Sequence, residues 1–205
     1  MTVESVEKVY NTYSRFYNFL FNWVLSGGRE RAPALLNCYP GAKLLEVGVG
    51  TGLTLSELPR DIKITGIDLS LGMLREAEKQ MQKRGWDHVD LKRMDATSMD
   101  FADNCFDRVL AAYFVSVVPD PVNVLLEMKR VCRPGGIILV LNHFVHEVPV
   151  IETLETALAP AFYKVGFRTD LRLRPLFDEA GLEIDRVVNI DFLGHWKAVR
   201  CVNRK

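Results

Sequence analysis

An α/β fold built on a doubly wound, mostly parallel sheet is predicted by three observations. Short β-branched and apolar runs are too uniformly hydrophobic to keep a wet face, as strands covered by helices on both sides must be. Stretches with helical spacing alternate with those runs. The first run then ends abruptly in glycines, in "LLEVGVGTG" from Leu44 to Gly52, where a strand gives way to a turn that something must approach closely.

Composition bounds the answer. With 205 residues, 48% of them hydrophobic, the chain can bury one core with a small appendage. Lys plus Arg and Asp plus Glu number 26 each, so no global field draws the chain to nucleic acid, and an anionic partner has to be met by a local patch. Cys38, Cys105, Cys132 and Cys201 are scattered without C-x-x-C or zinc spacing, which predicts reduced thiols and no metal site. No apolar stretch approaches the roughly 18 residues needed to span a bilayer, and the N-terminus lacks the order of a signal peptide. A cytoplasmic protein, soluble or resting on a membrane surface, is expected.

The elements follow in chain order. Val3, Val6, Tyr10, Tyr13, Tyr17, Leu20, Phe21 and Val24 recur at helical spacing, with Lys8 and Arg15 near the edge of the stripe. Such a helix serves as a lid on the domain, as a lipid contact, or as both, because aromatics beside cations suit the headgroup level. "GGRERA" at 27–32 reads as a helix break followed by basic residues able to meet lipid phosphate. The boundary is drawn before residue 37: an N-terminal helical segment over 1–36 and the main domain over 37–205. Ala42 to Val47, Lys63 to Ile67, Asp107 to Ala111 and Gly136 to Leu141 read as buried strands, with helices over Gly72 to Arg84 and Val122 to Val131. "RPGG" at 133–136 closes the second helix and turns the chain. Leu182 to Ile190 and Trp196 to Asn203, joined by "DFLG", predict a terminal antiparallel hairpin.

The glycines Gly48, Gly50 and Gly52 let a ligand lie on bare backbone. Their G-x-G-x-G spacing departs from the G-x-G-x-x-G of dinucleotide sites and favours a ligand without a pyrophosphate. Asp68, ending "ITGID", is set where an acid accepts ribose hydroxyls, and Asp95 and Ala96 in "MDAT" where an adenine edge is read. Glycine turn, ribose acid and adenine acid, in that order, describe an adenosyl ligand.

The series "LLEVGVGTG", "GIDLS", "MDAT", "FDRVLAAYFVSVVPDP", "MKRVCRPGG" and "IILVLNHF" resembles the class I S-adenosylmethionine-dependent methyltransferases over about residues 40 to 145. The resemblance implies a seven-stranded sheet with an antiparallel last strand, and S-adenosylmethionine as cofactor with S-adenosylhomocysteine as product. It implies that Gly48, Gly50 and Gly52 pass under the methionine part, Asp68 holds the ribose, Leu69 and Met73 pack the adenine and Asp95 bonds its amine. Glu46 is similar to the acid that in this family often organises the site near the methionine ammonium.

"VYNTYSRFYNFLFNWVLSGGRERA" with the later "LNHF" resembles the soluble bacterial phosphatidylethanolamine N-methyltransferases, which carry two tyrosines spaced as Tyr10 and Tyr17 are. "YNTYSRFYN" lacks the acid common after each tyrosine, so the quinone-biosynthesis C-methyltransferases stay open, as does a non-catalytic adenosyl-binding module. For a lipid amine, Tyr10 and Tyr17 would orient the acceptor through their hydroxyls and tolerate its cation through their ring faces. His143, after an apolar strand, suits a proton acceptor or a phosphate donor, with Asn142 orienting it or lining the pocket. Arg168 is the candidate grip on the phosphodiester, with Tyr163 and Lys164 in the same patch. Asp103, Glu127, Glu152 and Glu155 read as solvated charges. A monomer is expected, with a phospholipid substrate and an anionic membrane surface as partners.

Overall fold

The computed structural model describes residues 26–145, 168–191 and 194–205. Seven strands form one sheet: β1 (Lys43–Val47), β2 (Lys63–Asp68), β3 (Val89–Arg93), β4 (Phe106–Ala112), β5 (Cys132–His143), β6 (Ile184–Asn189) and β7 (Trp196–Val202). Their order is β3-β2-β1-β4-β5-β7-β6. Neighbours from β3 to β5 pair in parallel, and β7 runs antiparallel to both β5 and β6, so the predicted sheet and terminal hairpin are present.

Both faces are covered. On one side α3 (Pro121–Val131) and the short helix Leu173–Glu179 bring Val124, Leu125, Met128 and Phe177 to a core that includes Val109 and Val140. On the other, helical residues 26–36, named α1, and α2 (Leu71–Arg84) bring Ala32, Leu36 and Leu74 to Leu44, Leu110 and Leu139. Each fully buried Leu or Val of this kind contributes about 1.5 to 3 kcal/mol. Sequence chemistry sets the ends: Ser70 caps α2 by accepting from the Met73 N–H, and Gly85, at φ 62°, closes it. Asp120 caps α3 with Pro121 in its first turn.

Three expectations are corrected. Gly27 and Gly28 do not break a helix; they lie inside α1. A Cβ on Gly28 would fall 2.2 Å from the Tyr113 hydroxyl, so the glycine is there to let the helix approach the sheet closely. The cations after it do not reach outward together either. Arg29 is 5% exposed, and Arg31 donates to the Asn189 carbonyl. Arginines of the sheet tie down the other end of α1, with Arg200 donating to the carbonyl of Leu35, and Arg108 to those of Leu36 and Asn37. Glu127, read as a solvated charge, instead accepts from the Met99 N–H and from Arg130. Among the described residues, no helix is long and apolar enough to cross a membrane and no cluster of His, Cys, Asp or Glu could hold a metal ion.

Candidate functional site

The carboxyl ends of β1 to β4 open into one cleft of about 1070 Å³ including its mouth, where doubly wound sheets hold their ligands. After β1 the chain turns sharply. The N–H groups of Gly48 and Val49 both donate to the Ile67 carbonyl at 2.9 Å, which ties the turn to the end of β2. Gly48 and Gly50 have φ of 71° and 56°, which a side chain resists. A Cβ on Gly48 would collide with Phe114, whereas nothing lies within 4 Å of one on Gly50, so the backbone there is bare toward the cleft. Gly52 does not line the cleft; at φ 79° it packs against Leu55 and Ala77, letting the turn seat on α2.

Asp68 ends β2 with its carboxylate turned back over this turn. Oδ2 accepts from Gly50 N and Oδ1 from Ser70 N, both at 2.9 Å. Burial raises its pKa against the pull of those N–H groups. Four lone-pair positions exceed these bonds, leaving room for hydroxyl donors in the cleft. Leu69 and Met73 line the same wall.

Beyond β3, Asp95 Oδ1 accepts from the Thr97 N–H and hydroxyl, both at 2.8 Å, leaving Oδ2 for a donor in the cleft, with Ala96 beside it. Helix α3 straps this loop down. Asn123 donates to the Thr97 carbonyl, Glu127 holds Met99 N, and Arg130 donates to the carbonyls of Met99 and Phe101.

At the inner end of the cleft, Glu46 is 1% exposed and its Oε2 has no hydrogen-bond partner. Burial pushes its carboxyl up to about 8, opposed by a hydrogen bond from Thr54 and by attraction to Arg29. Arg29, which also lines the cleft, escaped the sequence reading. Its signal was the spacing of Arg29, Ala32 and Leu36 on one helical face. Tyr113 and Phe114 escaped too, although they follow an apolar strand, the position where such sheets place ligands. Tyr113 holds φ 59°, uncommon for a non-glycine residue, and sits edge-on to Trp196 at 5.3 Å.

The acceptor-side candidates lie in different places. His143 ends β5, 9% exposed, its ring stacked on His195 at 5.8 Å and edge-on to Trp196 at 5.5 Å. It does not line the cleft; the row His143, Trp196, Tyr113 connects it to the wall. Asn142 is fully buried and committed inward. Its Oδ1 accepts from Ser116 N and its Nδ2 donates to the His143 carbonyl, so it positions the loop after β4 and the end of β5 rather than lining the pocket. Arg168 N donates to the Ser116 carbonyl, which brings it beside that loop, and its guanidinium pairs with Asp170 at 3.2 Å. Tyr10, Tyr17, Tyr163 and Lys164 lie outside the described residues.

The cleft therefore offers hydroxyl acceptors on Asp68, an amine acceptor on Asp95, apolar walls between them, and a buried acid with a cation at the far end. That set suits a nucleoside carrying a charged tail. Comparison with known proteins agrees. Residues 45–140 match the family model described as a methyltransferase domain. The chain is 37% identical, over 90% of both chains, to a phosphatidylethanolamine N-methyltransferase of Cereibacter sphaeroides. It is 32% identical to a demethylmenaquinone methyltransferase of Bacillus velezensis, over 66% of this chain and 60% of that one. A solved structure of an S-adenosylmethionine-dependent methyltransferase from Aquifex aeolicus shares the fold, with a TM-score of 0.69 and 19% identity over 93% of this chain and 97% of that one.

Proposed function

The chain belongs to the class I S-adenosylmethionine-dependent methyltransferases, and from that premise we propose that it methylates the amine of phosphatidylethanolamine, and then its mono- and dimethyl derivatives, toward phosphatidylcholine. The observation that carries this reading is the 37% identity to a lipid N-methyltransferase across 90% of both chains. The second reading, C-methylation of a quinone ring, is supported by the 32% identity to a quinone enzyme over a shorter span.

The cofactor is S-adenosylmethionine, and S-adenosylhomocysteine is its product. The residues present fit it: a buried acid whose Oε2 is orphaned, and bare backbone at Gly50. Asp68 would accept the ribose hydroxyls, Asp95 the adenine amine, and Leu69, Met73 and Ala96 would pack the base. Glu46 would face the methionine ammonium and Arg29 its carboxylate. Gly48 shapes the turn beneath. When bound, the cofactor supplies a methyl group on a sulfonium, open to in-line attack.

The chain then has to present a neutral amine along that line, and positioning supplies much of the acceleration. Tyr10 and Tyr17 orient the amine, their ring faces accommodating its methylated, cationic products by about 0.5 to 2 kcal/mol. His143, behind the cleft wall in the row with Trp196 and Tyr113, is the candidate acceptor for the proton the ammonium sheds before attack. Arg168, exchanging Asp170 for a phosphodiester, holds the headgroup with Tyr163. The aromatic stripe of the N-terminal segment, with Lys8 and Arg15, attaches the protein peripherally to the anionic inner face of the cell membrane.

The test offers the purified protein methyl-labelled cofactor with phosphatidylethanolamine in detergent micelles and, separately, with demethylmenaquinol. Label in N-methylated phosphatidylethanolamine is expected. Label in the quinol alone would replace the first reading with the second, and label in neither would overturn both.

A further inference from the structure

Glu46 sits inside the sheet, level with Gly66 on β2 and Leu110 on β4. The groups acting on it are few. Thr54, from the 3-10 turn Thr54–Ser56, gives it a hydrogen bond, Arg29 of α1 attracts it, and Asp68 at the end of β2 repels it. Its Oε2 is buried without a partner and belongs to a residue that lines the cleft. A carboxylate so enclosed is costly unless its lone pairs are met, and one hydrogen bond with one neighbouring cation does not meet them here.

We propose that Glu46 is protonated in the free protein and gives up that proton when the amino-acid end of the cofactor seats against it, so that cofactor binding is proton-releasing. This rests on the reading that the Glu46 end of the cleft receives the methionine portion. The step balances: the Glu46 carboxylic acid loses its proton to solvent, the ligand ammonium keeps its own, and the product is an ammonium–carboxylate pair. Arg29 is the positioning cation. In the free protein its attraction is too weak to ionise Glu46, because burial has pushed the carboxyl up to about 8. Once Arg29 takes the ligand carboxylate, the incoming ammonium supplies the charge and the donors that Oε2 lacked.

The consequence is a cleft that distinguishes a nucleoside bearing a free amino acid from one without it by a proton count. At pH 7 a group titrating near 8 is about nine-tenths protonated, so roughly 0.9 proton should leave per ligand bound. Affinity should rise about tenfold per pH unit between pH 6 and 7 and level off above about pH 8.

Calorimetry of S-adenosylhomocysteine binding at pH 7, in two buffers of different ionisation enthalpy, reads the proton directly. The wild type should release nearly one proton, 5′-methylthioadenosine should release none, and Glu46→Gln should bind more weakly and release none. Weaker binding by Glu46→Gln with no proton release in the wild type would overturn the proposal and leave the reading of this end standing. Wild-type affinity in both Glu46→Gln and Arg29→Gln would overturn both. A ligand-free measurement stands beside it. The folded carboxyl titrates above its unfolded value of 4.5, so it stabilises the fold at low pH and loses that contribution as pH rises toward 8. The wild type should therefore melt progressively lower relative to Glu46→Gln between pH 5 and 8; parallel melting curves across that range would overturn the proposal without reference to any ligand.

Discussion

Phe114 packs its ring onto the backbone of Gly48 so closely that a Cβ there would lie 2.1 Å from the ring edge. Gly50, two residues on, has nothing within 4 Å of its own Cβ position. The two glycines of one turn thus serve different ends, one packing and one access.

Substitution separates them. Gly48→Ala must resist a φ of 71° and also displace Phe114, and should lower the melting temperature sharply, with a cost of about 3 kcal/mol or more. Gly50→Ala bears only the backbone cost at φ 56°, about 1 to 2 kcal/mol, yet puts a methyl group where, on the proposed reading, the cofactor would lie. Its signature should be weakened cofactor binding in calorimetry on a protein that still folds.

Gly27 and Gly28 make a second contrast. In a helix, Gly→Ala normally stabilises by about 1 kcal/mol. Gly27→Ala should follow that rule, since its Cβ would meet Ile190 at an ordinary 3.7 Å. Gly28→Ala should reverse it, because the methyl would stand 2.2 Å from the Tyr113 hydroxyl and 2.8 Å from Ile190. Tyr113→Phe should recover part of that loss, and the melting temperatures of the double-mutant cycle measure how much.

These glycines also mark where sequence stops predicting structure. Adjacent glycines argue against a helix on local grounds; the close approach of Tyr113 and Ile190 explains Gly28, and nothing in the structure explains Gly27. The strand β3 was not legible because Val89–Arg93 alternates with charges and lies at a sheet edge, without the apolar run that betrayed β1 or β4. Leu173–Glu179 is seven residues without a side-chain cap, too short for its periodicity to stand out. Gly48, Gly50 and Asp68 line the cleft as read because each follows a strand that an apolar run marks, whereas Asp95 was read from "MDAT" without its strand. Arg29 meets Glu46 only in three dimensions, and Glu127 looks solvated until Met99 and Arg130 are folded against it.

Asp68 ties the turn through Gly50 N and Ser70 N and, on the proposed reading, would also hold the cofactor's ribose; two variants divide those duties. Asp68→Ala removes the acceptors of Gly50 N and Ser70 N, so it should cost about 1 to 3 kcal/mol of stability besides its effect on binding. Asp68→Asn keeps one acceptor oxygen and the shape. Its NH2 then faces one of the two N–H donors, so it should keep only part of the stability that Asp68→Ala loses, while also losing about 1.5 to 3 kcal/mol of cofactor affinity, roughly a 10- to 150-fold rise in Kd by calorimetry.

The strap from α3 onto the loop after β3 gives the last prediction. Hydrogen bonds from Arg130, joined by the Met99 N–H, hold the Glu127 carboxyl below its ordinary value of 4.5 despite partial burial. A depressed folded pKa contributes stability that is present above the unfolded value and lost as pH falls through the folded one. Glu127→Gln should therefore cost about 1 to 3 kcal/mol near neutral pH, and the gap to the wild type should begin to close as pH falls below about 4.5. Because Asn123 of the same helix holds the Thr97 carbonyl, and Thr97 in turn holds Asp95, loosening the strap should also weaken cofactor binding without touching any cofactor atom. Melting curves from pH 3 to 7 and calorimetry at pH 7 check the two parts. A stability gap of constant size across that range would mean that Glu127 acts through its shape and not through its charge.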